Sequence, residues 1–436
     1  MTPVWRAPYS PGPLAATVAI PGSKSLTARA LYLAATADSP TTLSGVLESR
    51  DTRLFSDALR LLSARITADD NGVTMVTPLS GGASEVSIDC GLAGTVMRFI
   101  PPLAALVAES AHFDGDEAAR RRPLAPLLHA LESLGARIEF DGEVGFLPFT
   151  LRGPLRVPED GVIRVDASAS SQFLSALLLV APLLGEPVTI SATGAVVSLP
   201  HVEMTCESMR QRSIDIRPID DSGTPTRSWR VQPGRAAGGD IIIEPDLSNA
   251  APFLAAAMVC SGSVTICGWP QSTTQAGDAF RDILARMGAR VSMDGASLTV
   301  SGPGAHAYSG IDIDMSDIGE LAPTVAALVA LADSPSRLTG IAHLRGHETD
   351  RVAALAAELT RLGAGVVEHE DGLDITPAPL RPSELRAYDD HRMATFAAII
   401  GLGVDGVTCD DIDTTSKTLP GFARMWDDML SQTSGA

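Results

Sequence analysis

The chain has 436 residues, 45% of them apolar but only 4% aromatic, and a net charge of −19. Its length exceeds what one ordinary core supports, so two large domains or a repeat array is expected. The acidic balance argues against nucleic acid, whose binding needs a positive field, but not against small anions wherever arginines cluster.

The opening residues Met1-Thr2-Pro3-Val4-Trp5-Arg6 show no basic segment followed by an apolar run, so no signal peptide is expected. Apolar runs such as residues 174–184 are too short to span a bilayer. The five cysteines (Cys90, Cys206, Cys260, Cys267 and Cys409) are odd in number and form no C-x-x-C pair, which fits free thiols in a reducing compartment. These features predict a soluble cytoplasmic protein with no membrane partner.

The first stretch that carries chemistry is Pro21-Gly22-Ser23-Lys24-Ser25-Leu26-Thr27-Ala28-Arg29. Lys24 is one of two lysines among 33 basic residues, and the other, Lys417, also sits between hydroxyls, in Ser416-Lys417-Thr418. Codon bias accounts for the scarcity but not for the shared setting. Lysine offers a compact charge with a tunable pKa, which arginine does not, so Lys24 reads as an anion or proton-transfer residue.

Two periodic features then run along the chain. A helix end followed by a β-branched strand recurs at Ser63-Ala64-Arg65-Ile66, Gly135-Ala136-Arg137-Ile138, Ser213-Ile214, Gly288-Ala289-Arg290-Val291 and Gly363-Ala364-Gly365-Val366, every 72 to 78 residues. Each position marks a helix C-cap, where a left-handed residue is favoured. The pairs Asn71-Gly72, Asp141-Gly142, Asp294-Gly295 and Asp371-Gly372 signal hairpin turns. Ala/Leu-rich helices opened by polar residues recur at Ser25, Gly94, Ser171, Ser248, Glu320 and His391, spaced by 69 to 77 residues. Six units of helix, strand, helix and hairpin account for the chain. The Gly/Arg-rich break at residues 233–239 separates three from three.

The polar openings are ordinary N-caps on one reading and anion sites on the other, because helix N-termini present free N–H groups and a positive dipole end. Lys24, Arg29, Arg98 and Arg392 favour the second reading, since cations there oppose the dipole unless an anion compensates. Several N-termini are therefore expected to face one shared cleft. Arg120-Arg121-Arg122-Pro123 reads as a basic run, either solvated or functional, before a helix with Pro123 at its first position. Ser170-Ser171-Gln172 offers phosphate donors. Glu320 is either a dipole-favoured residue or a general base facing arginines. His343 to Arg351 packs two histidines, two acids and two arginines, but Gly346 weakens a zinc reading. No metal and no cofactor is expected. G-x-x-x-x-G-K-[ST], G-x-G-x-x-G after a strand and G-x-S-x-G are all missing, which excludes P-loop, Rossmann and serine-hydrolase chemistry. The residues thus describe an enzyme or binder for phosphorylated, carboxylated small molecules held between two three-unit domains.

Pro21-Gly22-Ser23-Lys24-Ser25 with Arg29, Leu92 to Arg98, Arg122-Pro123, Ser170-Ser171-Gln172-Phe173, Glu348-Thr349-Asp350-Arg351, Asp390-His391-Arg392-Met393-Ala394 and Lys417 together resemble the 5-enolpyruvylshikimate-3-phosphate synthase family of enolpyruvyl transferases. The resemblance runs in order from about residue 14 to 422. It implies an α/β (α+β) fold: a two-domain inside-out α/β barrel of six βαβαββ repeats, three per domain. Residues 1–21 and 240–436 would form one domain and residues 22–239 the other, with the active site in the cleft between them.

The resemblance also implies condensation of phosphoenolpyruvate with shikimate 3-phosphate by a monomer. Lys24, Ser25, Arg29, Ser170, Ser171, Gln172, Ser198, Glu320 and His347 would hold shikimate 3-phosphate. Lys24, Gly94, Arg122, Gln172, Arg351, Arg392 and Lys417 would hold phosphoenolpyruvate. Glu320, Lys24 and Glu348 would be catalytic. The chain departs from the common family pattern at Leu92 (usually Asn), His201 (Tyr), Glu320 (Asp), His343 (Asn) and His347 (Lys), and a neutral His347 would contact the shikimate with less charge. The alternatives are UDP-N-acetylglucosamine 1-carboxyvinyltransferase, which typically has a cysteine in the loop matching residues 114–123, and a non-catalytic anion-binding relative.

Overall fold

The structure is a computed structural model that describes residues 4–10, 12–70, 72–219 and 227–432. Two compact units divide the chain: Gly22–Ile243, and Met1–Pro21 together with Glu244–Ala436. Among the described residues no helix is long and apolar enough to cross a membrane.

Within Gly22–Ile243 the same four-stranded sheet is built three times. In one, Ala83–Asp89 lies parallel to Ala108–Asp114, with Glu85 opposite Ser110; Phe149–Arg152 then pairs antiparallel, and Arg137–Phe140 forms the edge. Val162–Val165, Val188–Ala192, Ser228–Val231 and Ile216–Pro218 repeat this order. The third copy borrows its first strand. Gly239–Ile242, late in the chain, lies parallel to Thr41–Ser44 with Asp240 opposite Thr42.

The other unit mirrors the exchange. Ala15–Ala19, which directly precedes the Lys24–Ala35 helix in sequence, pairs with Ser263–Cys267. Asp312–Asp314, Ser336–Thr339, Gly372–Thr376 and Gly365–His369 form its second four-stranded sheet. Its last sheet has three strands, Glu384–Leu385, Thr408–Cys409 and Trp5–Arg6, so the N-terminal strand stands where the other repeats place a hairpin. The second crossing between units therefore falls after Ile243, four residues beyond the expected 239–240 boundary. The pairing of Gly239–Ile242 with Thr41–Ser44 holds that strand in the earlier unit.

Helices supply most of each core, and one face of each four-stranded sheet packs against them. Every residue of Ala322–Ala330 is buried, as are nearly all of Leu247–Cys260 and His391–Gly403, and these three pack on one another. A helix apolar all round has no solvent face to offer, and alanine lets such helices approach closely. In Gly22–Ile243 the inner helices are Lys24–Ala35, Gly94–Val107 and Ser171–Val180. Outer helices such as Arg351–Leu362 alternate apolar and charged faces.

The recurring helix ends adopt the expected left-handed conformation at Ser63 (φ 79°), Gly135 (98°), Ser213 (64°), Gly288 (105°) and Gly363 (100°). Three local expectations need correction. Pro123 lies outside its helix, which runs Ala125–Ser133 and has Pro126 in its first turn. Asp141-Gly142 begins an eight-residue connection closed by Asp141 N donating to Pro148 O (3.1 Å), not a tight turn. The turn after Gly365–His369 uses Glu370-Asp371, and Gly372 already belongs to the next strand. Asn71 lies outside the described residues, as do Met1, Thr2 and Pro3.

Gly22, the first residue after the chain enters its unit, shows how tightly this crossing is packed. A Cβ on Gly22 would lie 1.8 Å from the carbonyl oxygen of Gly45. Gly22→Ala forces backbone to move and should destabilise the protein by about 1–3 kcal/mol, read as a lowered midpoint in thermal or urea unfolding. An unchanged midpoint would contradict this packing.

Candidate active site

Each unit gathers its own cluster of charged and polar groups at helix N-termini. In Gly22–Ile243, Lys24 opens the Lys24–Ala35 helix, and the Ser23 side chain caps it by accepting from Leu26 N. Lys24 Nζ lies 3.3 Å from Asp51 Oδ2; the lysine side chain is 22% exposed and the aspartate 3%. Asp51 was not legible as a site residue, because an acid in a first helical turn reads as a dipole partner.

Arg29 is buried one turn further on. Its Nε donates to Thr205 Oγ1 (2.8 Å), Nη2 to His201 O (2.8 Å) and Nη1 to Ser25 O (2.9 Å), and it stacks over Phe99. Burial pulls its pKa down to about 9, which still leaves the guanidinium charged at neutral pH. Arg29 thus ties the Lys24–Ala35 helix to the N-terminus of Leu199–Gln211. That second helix starts from Ser198, held at φ 51° and ψ 50°, whose side chain makes no capping bond.

The Gly94–Val107 helix starts from Ala93, which has no capping side chain, so its first N–H groups lack one of the usual acceptors. Three side chains converge there. A methyl group on Gly94 would lie 3.1 Å from Arg98 Nη1, 3.2 Å from Gln172 Oε1 and 3.4 Å from Arg122 Nη1. Gln172 Oε1 and Arg122 Nε are buried with no hydrogen-bond partner, an arrangement costly unless something polar completes it. Ser170 caps the next helix by accepting from Gln172 N (3.3 Å), and Ser171 is its buried first residue. The arginine run divides. Arg120 pairs with Asp114 (2.7 Å) and Arg121 with Glu117 (3.2 Å) on the surface, while Arg122 turns in toward Leu92 O (3.4 Å).

In the other unit the cluster is built around Arg351, the first residue of the Arg351–Leu362 helix, whose N-cap is Asp350. Arg351 Nε donates to Asp390 Oδ2 at 2.7 Å, Nη2 to Glu348 Oε2 at 3.0 Å and Nη1 to Glu320 Oε2 at 3.3 Å. Arg392 Nε lies 3.3 Å from Glu320 Oε2, and its Nη1 donates to Ser248 O (2.9 Å). Lys417 Nζ is 2.5 Å from Glu348 Oε1. Three cations face three carboxylates. Arg392, expected to need an outside anion at its helix start, is compensated internally by Glu320 and by Asp390, which caps the helix through Arg392 N (2.8 Å).

His347 Nδ1 lies 3.1 Å from Arg351 Nη1 and 3.8 Å from Glu320 Oε1. Arginine only donates, so Nδ1 is the acceptor of this bond whenever the ring is neutral. That geometry also turns Nδ1 away from a metal-ligand role. His343 stacks edge-on to His347, and burial, the leading cause, lowers its pKa.

For Glu320, burial alone would raise the carboxyl, but Arg351, then Arg392 and His347, overcome it and hold the pKa well below the usual range. A depressed native pKa adds stability that is fully present above the ordinary glutamate value of about 4.3 and lost as pH falls through the native value. The gap in unfolding midpoint between wild type and Glu320→Gln should therefore hold steady at neutral pH and close as the pH drops below about 4. A gap that does not narrow at all as the pH falls below about 4 would contradict the ion pairing.

The structure thus brings Gly94, Arg122 and Gln172 together in one unit, and Glu320, His347, Glu348, Arg351, Arg392 and Lys417 together in the other. Lys24, Ser25, Arg29, Ser170, Ser171 and Ser198 stand at neighbouring helix N-termini of the first unit.

The EPSP synthase (3-phosphoshikimate 1-carboxyvinyltransferase) family model matches residues 8–426. A curated 3-phosphoshikimate 1-carboxyvinyltransferase of Kocuria rhizophila is 51% identical over 438 aligned positions, covering 98% of this chain and 96% of that protein. Among solved structures, the EPSP synthase of Acinetobacter baumannii superposes with a TM-score of 0.78 at 22% identity, covering 98% of both chains. The enolpyruvyl transferase NikO of Streptomyces tendae gives 0.75 at 17%, covering 98% of this chain and 97% of its own. These two likenesses speak for the fold alone. With its helix-filled repeats, its arginine-rich helix starts and a family match over nearly its whole length, the chain belongs to the EPSP synthase family.

Proposed function

We infer that the chain transfers the enolpyruvyl group of phosphoenolpyruvate to the 5-hydroxyl of shikimate 3-phosphate and releases phosphate. The observation that carries the residue roles is the Arg351 cluster, in which Arg392, Lys417 and Arg351 are all held by carboxylates of matching number. A ligand bearing a carboxylate and a phosphate competes for those cations with the carboxylates already there.

On this reading Arg351, Arg392 and Lys417 grip phosphoenolpyruvate from one unit. Gly94, Arg122 and Gln172 grip it from the other, where an open helix N-terminus and the unpartnered, buried Nε of Arg122 await an anion. Lys24, Ser25, Arg29, Ser170, Ser171, Gln172 and Ser198 hold shikimate 3-phosphate, with Glu320 and His347 reaching it from the second unit. We propose that both clusters serve one pair of substrates, so a single chain suffices as a monomer, and that the enzyme works in the cytoplasm.

The chemistry has two steps. The 5-hydroxyl oxygen adds to C2 of phosphoenolpyruvate and loses its proton while C3 gains one. The tetrahedral adduct then gives up a C3 proton as the C2–O bond to phosphate breaks. Glu320 is a weak base while Arg351 and Arg392 hold it. As those guanidiniums turn to the anionic substrate, Glu320 loses the groups that keep its pKa low and becomes able to take the hydroxyl proton. Lys24 and Glu348, the latter paired with Lys417, supply the second acid–base group beside the reacting carbons.

Phosphate release on mixing the protein with phosphoenolpyruvate and shikimate 3-phosphate tests the reading, and no release would overturn it. Release with UDP-N-acetylglucosamine instead would assign the sister reaction. Lys24→Met should abolish turnover with the fold retained; activity within about tenfold of wild type, or 1.4 kcal/mol of barrier, would refute the role of Lys24. Gly94→Ala pushes a methyl into the Arg98–Gln172–Arg122 convergence. Its KM for phosphoenolpyruvate should rise about tenfold or more while that for shikimate 3-phosphate changes less; equal KM values would place the anion elsewhere.

A further inference from the structure

The Arg351–Leu362 helix grips the turn before His391 at two places. At its start, Arg351 holds Asp390 (2.7 Å). Two turns further along the same face, Glu358 is fully buried. Its Oε1 accepts from Tyr388 OH at 2.7 Å, and its Oε2 accepts from Arg361 Nε (3.0 Å) and Arg386 N (3.4 Å).

Between these two grips the backbone is strained. Tyr388 and Asp389 both sit in the left-handed region at φ 55°, adjacent and neither of them glycine. L-residues avoid this conformation, and strain of this kind persists only where surrounding contacts over-determine it. The other side of the turn is pinned as well. Ala387 N donates to Asp410 Oδ1 (2.7 Å), and Asp390 N donates to Ala387 O (2.9 Å). The double twist aims Asp390 inward, where it both caps the His391–Gly403 helix and fixes Arg351, and so it sets where Arg392 begins.

We propose that Glu358 and Tyr388 are positioning residues for the anion-binding arginines: their hydrogen bond holds the strained 388–389 turn that places Asp390, and through it Arg351 and Arg392. Their hydrogen bonds run to each other, to Arg361 and to Arg386 N, outside the cluster. Burial and then the bond to Glu358 raise the phenol of Tyr388 to about 12, so it keeps its proton and donates throughout the working pH range. The inference rests on the reading of Arg351 and Arg392 as phosphoenolpyruvate ligands, and wild-type phosphate release with both substrates checks that reading separately.

The test is Tyr388→Phe, which keeps the ring and removes only the donor. Steady-state kinetics on the purified full-length enzyme should show the KM for phosphoenolpyruvate raised about tenfold, with the KM for shikimate 3-phosphate within about twofold of wild type. Adding Asp389→Gly to Tyr388→Phe removes the side-chain penalty of one left-handed position. The double variant should recover the phosphoenolpyruvate KM to within about threefold of wild type. A drop in melting temperature with both KM values unchanged, or equal rises in the two KM values, would overturn the proposal. So would a double variant no better than Tyr388→Phe alone.

Discussion

A buried guanidinium touching three carboxylates organises one whole unit. Arg351 is almost completely inaccessible, and it bonds to Glu320, Glu348 and Asp390, residues that come from three separate stretches of the chain. Removing a charge of this kind from water is expensive, and only close, numerous partners offset it. The partners do so here, and the guanidinium is held more firmly in its charged form as a result. Because its partners begin or precede different helices, the same contacts fix the relative positions of those helix starts.

The cluster is neutral as a whole, and its neutrality shapes how a ligand can enter. A site made only of cations would bind any anion and would cost the empty protein stability through self-repulsion. Pairing each cation with a carboxylate removes that cost and raises a threshold, since an incoming anion must outcompete groups already in place. A substrate with both a carboxylate and a phosphate can do so at several points at once. On the proposed reading, the same exchange would change the surroundings of Glu320 as it takes up its proton. The Gly94 end differs in kind. There, backbone N–H groups, Arg122 and Gln172 wait with polar atoms unmatched.

Much of the fold could be read in the sequence because repetition amplifies weak signals. The left-handed residues at Ser63, Gly135, Ser213, Gly288 and Gly363 recur at near-constant spacing, and all five adopt the conformation that spacing implies. Lys24, Gly94 and Arg392 stood out because charge or glycine at a helix start has a physical cost or use. Asp51 and the pairing of Asp390 with Arg351 were not legible, since an aspartate before or within a first helical turn has an ordinary explanation that hides a longer-range one. The exact point of the second crossing, after Ile243, was hidden for a different reason. A strand's partner is a property of the assembled sheet, and nothing within Gly239–Ile242 states that Thr41–Ser44 will be beside it.

That exchange of strands bears on how the chain reaches its native state. Ser263–Cys267 completes its sheet with Ala15–Ala19, and Thr408–Cys409 completes its own with Trp5–Arg6, so strands that come before the Gly22–Ile243 unit find partners only after it. Loop-closure entropy must be met before such distant pairings return any stabilisation, which slows folding relative to locally paired folds. A growing chain cannot finish the Gly22–Ile243 unit until residue 242 has emerged. Meanwhile Trp5–Arg6 and Ala15–Ala19 have no sheet to join, because their partner strands come later in the chain. The two units are distinct in their contacts yet bound together in the order of their synthesis.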